Sequence, residues 1–187
     1  MSAAKPAKPA KAAKAAKAAK SAKPAKAAKA AKSAKSAKPA KAATAVAAAK
    51  PMRLLFVCVE NSNRSQMAEA FARMHGGDRV IVASAGSRPS GTVNMKAIEA
   101  MVERGYDLGK HRSTGLDEVR GLAWDRVITM GCGDVCPWVP AEYREDWALP
   151  DPRDLDPAGV RAVRDEIERR VVALLASVGI PSQRSTR

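Results

Sequence analysis

Acidic side chains are absent from the first fifty residues of the sequence. This segment holds 14 of the 33 lysines and arginines and none of the 19 aspartates and glutamates. The rest of the chain is left with 19 basic and 19 acidic residues, so the net charge of +14 belongs entirely to residues 1–50. We therefore predict a disordered lysine-rich tail over residues 1–50 and one domain over residues 51–187, which is long enough to bury its own core.

The sequence also lacks a long uncharged run, and it has only three cysteines. A transmembrane helix needs about 20 consecutive apolar residues, so none is expected. The N-terminus has no continuous apolar region of the kind that marks a secretory signal. We therefore expect a cytoplasmic protein that does not use a membrane. Three cysteines do not form a disulfide framework there, which favours a role in chemistry or metal binding.

The predicted tail has a lysine at every third position from Lys5 to Lys41, separated mostly by alanine. In an extended polyproline II segment these lysines would share one edge at intervals of roughly 9 Å. The segment has nothing large to bury, so we expect it to be disordered on its own. It is typical of tails that bind nucleic acid through phosphates. The alternatives are a solubilising extension and, less favoured because no apolar anchor accompanies the lysines, an anionic membrane surface.

Short apolar runs alternate with amphipathic segments across residues 51–187. Strands are predicted at residues 52–59, 79–84 and 126–130 and near Trp147, and helices at residues 65–74, 94–103, 116–121 and 158–175. Strands that alternate with helices form a parallel sheet that is covered on both faces. We therefore predict an α/β fold with a four-stranded parallel sheet and helices on both faces.

The segment FVCVENSNRSQ, residues 56–66, joins the first strand to the first helix. A loop of this length can curl so that its backbone N–H groups point inward and, with the positive end of the helix, form a nest for a tetrahedral oxyanion. Arg64 would bind that anion with two donors, and the positive field favours Cys58 as a thiolate nucleophile. Ser65 is placed to donate to the sulfur, and Asn61 to brace the loop. The predicted oxyanion-binding residues are Cys58, Val59, Glu60, Asn61, Ser62, Asn63 and Arg64.

The segment FVCVENSNRSQMAEAF, together with SAGS downstream and the Asp-Pro pair at position 151, resembles the low-molecular-weight protein tyrosine phosphatase superfamily. Within it, the sequence is most similar to thiol-dependent arsenate reductases, over roughly residues 53–177. The resemblance implies a four-stranded parallel sheet, Cys58 as nucleophile, Arg64 as anion ligand, Ser65 as loop hydroxyl and Asp151 as general acid. A carboxyl group after a late strand also suits proton delivery to a departing oxygen, although Asp154 and Asp156 are rivals for that role.

Cys132 and Cys136 follow the third predicted strand, in MGCGDVCPWVP. If the segment is helical, residues four apart have Cα atoms roughly 6 Å apart, within the range that a disulfide can span. Arsenate reduction would then proceed by attack of Cys58 on arsenate, attack of Cys132 on the Cys58 sulfur, and resolution by Cys136. Thioredoxin would reduce the final disulfide; a low-molecular-weight thiol such as mycothiol is the alternative donor. The pair could instead be buried core residues or, less favoured, zinc ligands.

A protein tyrosine phosphatase that acts through a phosphocysteine is the alternative enzyme, because both chemistries use the same loop. The sequence PRDLDP after Asp151 lacks the paired tyrosines that wall the phosphotyrosine pocket in that group, and the whole chain has only seven aromatic residues. A small inorganic anion, arsenate or phosphate, therefore suits the predicted pocket better than an aryl phosphate. We predict no metal and no organic cofactor. A nucleic-acid-binding protein, acting through residues 1–50, is the remaining hypothesis.

Overall fold

The computed structural model describes residues 50–131 and 137–183. Within them, four strands form one parallel sheet in the order β2-β1-β3-β4. The strands are β1 (Met52–Cys58), β2 (Val80–Gly86), β3 (Trp124–Thr129) and β4 (Ala141–Asp146). This confirms the predicted α/β fold and its four-stranded parallel sheet. The fourth strand, predicted near Trp147, ends directly before that residue.

The described residues contain three α-helices: α1 (Arg64–Gly76), α2 (Met95–Val102) and α3 (Pro157–Ser177). Helix α1 ends where the sequence predicts, because Gly77 takes a left-handed conformation with φ 55° that glycine adopts at little cost. The helix predicted at residues 116–121 is only a single 3₁₀ turn, Leu116–Glu118. Similar turns lie at Gly77–Arg79 and Leu108–Lys110.

Strand β1 is buried on both faces, because its side chains alternate between two apolar clusters. Leu54 and Phe56 join the cluster that also contains buried residues of α1, α2 and α3. Leu55 and Val57 join the second cluster, together with Leu116 of the 3₁₀ turn. The three α-helices thus share one apolar cluster, and the short turn contributes to the other.

The order of the strands places the end of β1 at the natural ligand site of the sheet. The chain runs from β1 to β2 on one side and later returns to β3 on the other side of β1. In open parallel sheets, ligands bind beyond the carboxyl ends of the strands at the point where the strand order reverses. Cys58 is the last residue of β1, and α1 begins at Arg64.

Several predictions from the sequence concern residues outside those described. Residues 1–49 of the predicted tail, Cys132 and Cys136 belong to this group. The domain boundary at residue 50 and the roles of these two cysteines therefore stay predictions. In the part of the chain that the structure describes, no helix is both long and apolar enough to span a membrane.

Replacing a buried valine in α3 tests the core that supports the sheet. Val171 is 0% exposed, whereas Val102, at the end of α2, is 58% exposed. We expect Val171→Ala to lower the free energy of unfolding by about 2 kcal/mol, because it removes two buried methyl groups and leaves a cavity. Val102→Ala, the same chemical change on the surface, should alter it by no more than about 0.5 kcal/mol. Urea unfolding followed by circular dichroism measures both, and equal losses would contradict this description of the core.

Candidate active site

The peptide groups of the loop between β1 and α1 have a consistent orientation. The carbonyl oxygens of Cys58, Val59, Glu60 and Ser62 accept hydrogen bonds from the N–H groups of Ser87, Arg88, Ser90 and Asn94, at 2.8 to 3.3 Å. In a trans peptide the next N–H points opposite to the carbonyl. The N–H groups of the residues that follow each of these carbonyls therefore face the inside of the loop. This orientation is what an oxyanion nest requires, and the binding of an oxyanion by the loop stays a prediction.

Asn61 holds the middle of the loop in its curled form. Its φ of 50° makes it the one non-glycine residue in the described part of the chain with a positive φ. The side chain is completely buried. Its amide nitrogen donates to the hydroxyls of Ser65 at 2.9 Å and Ser84 at 2.8 Å. Its amide oxygen accepts from Gln66 Nε2 at 2.9 Å and Thr114 N–H at 2.6 Å. All hydrogen-bonding groups of the amide are thus satisfied, which offsets the cost of the left-handed backbone.

Gly86, the last residue of β2, allows the loop to lie directly against the sheet. A Cβ atom at this position would lie 2.7 Å from the carbonyl oxygen of Val59 and 2.8 Å from the nitrogen of Asn61. Any side chain would push the loop outward. This gives a physical reason for the glycine in the SAGS segment, which the sequence identifies only as part of a resemblance.

Two groups donate hydrogen bonds toward the sulfur of Cys58. The backbone N–H of Asn61 lies 3.2 Å from Sγ, and Ser65 Oγ lies 3.0 Å from it. Because Ser65 Oγ already accepts from the Asn61 amide, its own hydrogen is available to the sulfur. The structure therefore contains the expected contact between Ser65 and Cys58.

Arg64 lies under the loop with only 6% of its surface exposed. Its Nη1 donates to the carbonyl oxygen of Leu149 at 3.0 Å, and its Nη2 to Asp151 Oδ2 at 2.8 Å. Its Nε is buried and has no hydrogen-bond partner among the described residues. A buried donor without a partner is costly, so an anion that accepts from Nε and Nη2 together would find a preorganised ligand.

Asp151 is the carboxylate that the structure brings to the loop. In addition to its ion pair with Arg64, its Oδ1 accepts from the backbone N–H of Arg153 at 3.0 Å. The two rivals are placed differently. Asp156 caps α3 by accepting from the N–H of Gly159 at 2.7 Å, and the exposed Asp154 does not line the pocket at the loop.

A narrow pocket lies between the loop and the segment that carries Asp151. Six of the seven predicted oxyanion-binding residues line it, and the seventh, Asn61, is buried behind them. Asp151 and Arg153 form the opposite wall. The complete lining of the pocket consists of Cys58, Val59, Glu60, Ser62, Asn63, Arg64, Asp151 and Arg153.

The residues that brace the loop from behind were not identified from the sequence, because they come from distant segments. Gln66 Nε2 also donates to the carbonyl oxygens of Asn61 and Arg112, and its Oε1 accepts from His111 Nδ1 at 2.9 Å. Burial lowers the pKa of His111 below its ordinary value, which favours a neutral ring with its proton on Nδ1 and Tyr106 donating to Nε2. Ser84 in turn donates to Glu69 Oε2 at 2.6 Å.

The predicted partners of Cys58 in electron transfer, Cys132 and Cys136, lie outside the described residues. The residue before them is described: a Cβ on Gly131, which has a φ of 68°, would lie 3.3 Å from Arg64 Nη1. Gly131, the last described residue before Cys132, therefore lies beside Arg64. Within residues 50–131 and 137–183, no three histidine, cysteine, aspartate or glutamate side chains converge as metal ligands.

Comparison with known proteins agrees with this geometry. Residues 53–184 match the family model of the low molecular weight phosphotyrosine protein phosphatase. A glutaredoxin arsenate reductase of Synechocystis is 38% identical over 129 residues, which are 67% of this chain and 98% of the relative. A putative arsenate reductase of Halobacterium salinarum is 39% identical over 126 residues, or 64% of this chain and 87% of the relative.

Solved structures show the same similarity. An arsenate reductase in its phosphate-binding state has a TM-score of 0.63 and 38% identity, covering 68% of this chain and 98% of that one. A thioredoxin-dependent arsenate reductase of Corynebacterium glutamicum has a TM-score of 0.59 and 36% identity, covering 70% of this chain and 63% of that one. The chain therefore belongs to the low molecular weight phosphotyrosine protein phosphatase family, in the branch that contains arsenate reductases.

Proposed function

We propose that this protein reduces arsenate to arsenite, with Cys58 as the nucleophile in the loop. The four relatives described above are all named arsenate reductases, and they support this activity. The observation that carries the proposal is the environment of the Cys58 sulfur, which accepts from two donors beside a buried arginine with an unpaired Nε. Such a site combines an activated nucleophile with a ligand for a tetrahedral anion.

Arsenate would bind with its oxygens toward the inward N–H groups of the loop and toward Nε and Nη2 of Arg64. One of the solved relatives is described as binding phosphate, which has the same tetrahedral shape. Entry of the anion would take Nη2 of Arg64 away from Asp151. The Asp151 side chain is about half exposed, so it can turn toward a departing oxygen of the substrate.

In the first step the Cys58 thiolate attacks arsenic, forming a sulfur–arsenic bond while an arsenic–oxygen bond breaks. Asp151 gives its proton to the departing oxygen, which leaves as water or hydroxide. Ser65 and the N–H of Asn61 hold the sulfur in line for this attack. Arsenic is still pentavalent at the end of the step, so two electrons remain to be supplied.

Cys132 would supply those electrons by attacking the Cys58 sulfur. A disulfide forms, the sulfur–arsenic bond breaks, and its electron pair stays with arsenic, which leaves as arsenite. Cys136 would then attack Cys132 and release Cys58 as a thiol. The position of Gly131 beside Arg64 supports this route. A thiol reductant, either thioredoxin or a low-molecular-weight thiol, would reopen the final disulfide.

Hydrolysis of phosphomonoesters through a phosphocysteine is the second candidate, because the same loop and general acid serve that reaction. What favours the reductase is the wall beyond Asp151. Arg153 occupies this wall and the pocket is small, so an aryl ring would find a charged side chain in place of an aromatic surface.

Replacing Asp151 tests the general acid. We expect Asp151→Asn to lower kcat for arsenate reduction roughly 10²-fold or more, because an amide cannot deliver the proton. Asp154→Asn is the matched control, since Asp154 lies three residues away and does not line the pocket. Steady-state turnover with a saturating thiol reductant measures both. An unchanged kcat in Asp151→Asn, or equal losses in the two variants, would remove Asp151 from this role.

Replacing the cysteines one at a time tests the electron relay. Cys58→Ser should abolish arsenite formation, because a serine alkoxide is not formed at neutral pH and no sulfur adduct can arise. Cys132→Ser should also abolish it, while slow hydrolysis of an aryl phosphate at Cys58 should persist. The assay follows arsenite with thioredoxin, thioredoxin reductase and NADPH, and in parallel with a small thiol. Arsenate turnover that is indifferent to Cys132 and Cys136 would exclude the relay.

Nucleic-acid binding by residues 1–50 stays a prediction of the lysine spacing. Removal of this segment should eliminate binding of duplex DNA at low salt, since the rest of the chain has equal numbers of basic and acidic residues. Binding by the full chain should weaken steeply as salt is raised, because counterions are released from the phosphates. A mobility-shift titration measures this, with arsenate reduction as the control that should remain unchanged. Persistent DNA binding after the deletion would contradict the prediction.

A further inference from the structure

Two ion pairs connect the opposite walls of the pocket. Arg64 in the loop pairs with Asp151 at 2.8 Å, and Glu60 in the loop pairs with Arg153. Each wall thus contributes one acidic and one basic side chain. The proposed reaction uses the side chains of Arg64 and Asp151 and the backbone N–H of Glu60, whereas it gives no role to the side chains of Glu60 and Arg153.

The Glu60–Arg153 pair forms the outer of these two connections. Its side chains are 32% and 48% exposed, whereas that of Arg64 is 7% exposed. An isolated exposed ion pair is usually weak because two long side chains must be ordered. Here the backbone on both sides is already held: Lys96 Nζ donates to the carbonyl oxygen of Arg153 at 2.7 Å, and Ser113 Oγ donates to that of Glu60 at 2.8 Å.

The pair also explains how a carboxylate is tolerated in a loop that binds anions. An unpaired Glu60 carboxylate would repel an incoming oxyanion, because Glu60 and Arg64 line the same pocket. The guanidinium of Arg153 cancels that charge and leaves Arg64 as the side chain that determines the attraction. The Glu60–Arg153 pair therefore has no net charge, but its two side chains occupy space at the outer side of the pocket.

We propose that the Glu60–Arg153 ion pair is a specificity gate that admits small inorganic oxyanions and excludes the organic group of a phosphomonoester. This inference rests on the proposed function, because it concerns what the same pocket accepts. The Glu60–Arg153 pair is more exposed than Arg64, so a bare oxyanion held at Arg64 has no substituent that would have to separate the pair. The ring of an aryl ester would have to pass between Glu60 and Arg153, separating two charges and covering them with apolar surface.

Removing both side chains at once tests the gate without changing the net charge. The variant is Glu60→Ala combined with Arg153→Ala. Its matched control is Asp117→Ala combined with Arg120→Ala, which removes another exposed ion pair, with Arg120 also 48% exposed, that does not line the pocket. Calorimetric titration of the reduced proteins with inorganic phosphate and with phenylphosphonate measures binding without any turnover.

We expect the unaltered protein and the control to bind phosphate much more tightly than phenylphosphonate. The double variant should narrow this ratio of dissociation constants by about tenfold or more, a typical effect of opening a pocket to a larger group. Arg153→Lys, which keeps the ion pair, should leave the ratio close to that of the unaltered protein. An unchanged ratio in the double variant would overturn the proposal, and so would loss of phosphate binding, because the pair would then be supporting the loop itself.

The proposed function is tested separately by arsenate turnover of the unaltered enzyme. If that turnover occurs and the ratio of dissociation constants stays fixed, the gate alone is wrong. If turnover fails and the ratio changes as expected, the pocket has the proposed selectivity but serves another reaction.

Discussion

The site depends on the left-handed conformation of Asn61. With φ at 50° the chain curls back, so the N–H of Asn61 points at the Cys58 sulfur and the next residues return to start α1. A non-glycine residue resists this conformation, and four hydrogen bonds of the Asn61 side chain, two donated and two accepted, offset the cost. If these contacts were lost, the inward N–H groups, the alignment of Ser65 and the approach of Arg64 would change together. The loop is therefore one cooperative unit.

That unit extends well beyond the loop, because its supports come from three separate segments. Gly86 allows the close approach, the N–H groups of residues 87–94 hold the carbonyl oxygens outward, and Thr114 and Gln66 bind the Asn61 amide. Supporting contacts of this kind hold reactive groups to within fractions of an ångström, which catalysis requires. In the proposed reaction, Gly86 and Gln66 would therefore influence the chemistry without touching the substrate.

The sequence predicts the parts of this site that are local in the chain. Strand β1, the loop and α1 follow from an apolar run, a set of small polar residues and a helical repeat, all within 25 residues. The braces could not be predicted, because Ser84 and Thr114 meet Asn61 only through the pairing of β1 with β2 and the return of the chain at residue 114. The Glu60–Arg153 pair joins residues 93 positions apart for the same reason.

Prediction of the fold from the sequence has the same limit, because some elements form only through contacts with distant segments. Strand β4 is an edge strand, and five of its six residues are exposed, so its charged sequence AEYRED gives no apolar alternation to detect. It forms because its neighbour β3 supplies hydrogen bonds and because Arg126 stacks on Tyr143, with the guanidinium 4.3 Å from the ring centre. The single turn at Leu116–Glu118 replaces a predicted helix because only Leu116 and Val119 of this segment are buried, too few to support two turns.

In the proposed reaction Arg64 links anion binding to acid catalysis, because the substrate would compete with Asp151 for the same Nη2 donor. In the free site Asp151 Oδ2 pairs with the guanidinium at 2.8 Å. An oxyanion that took Nη2 would release the Asp151 side chain from this ion pair. Asp151 would then be free to turn toward a departing oxygen, as its proposed role requires. The loop alone thus supports both a phosphatase and a reductase, and the difference between them must come from the wall around Arg153 and from the other two cysteines.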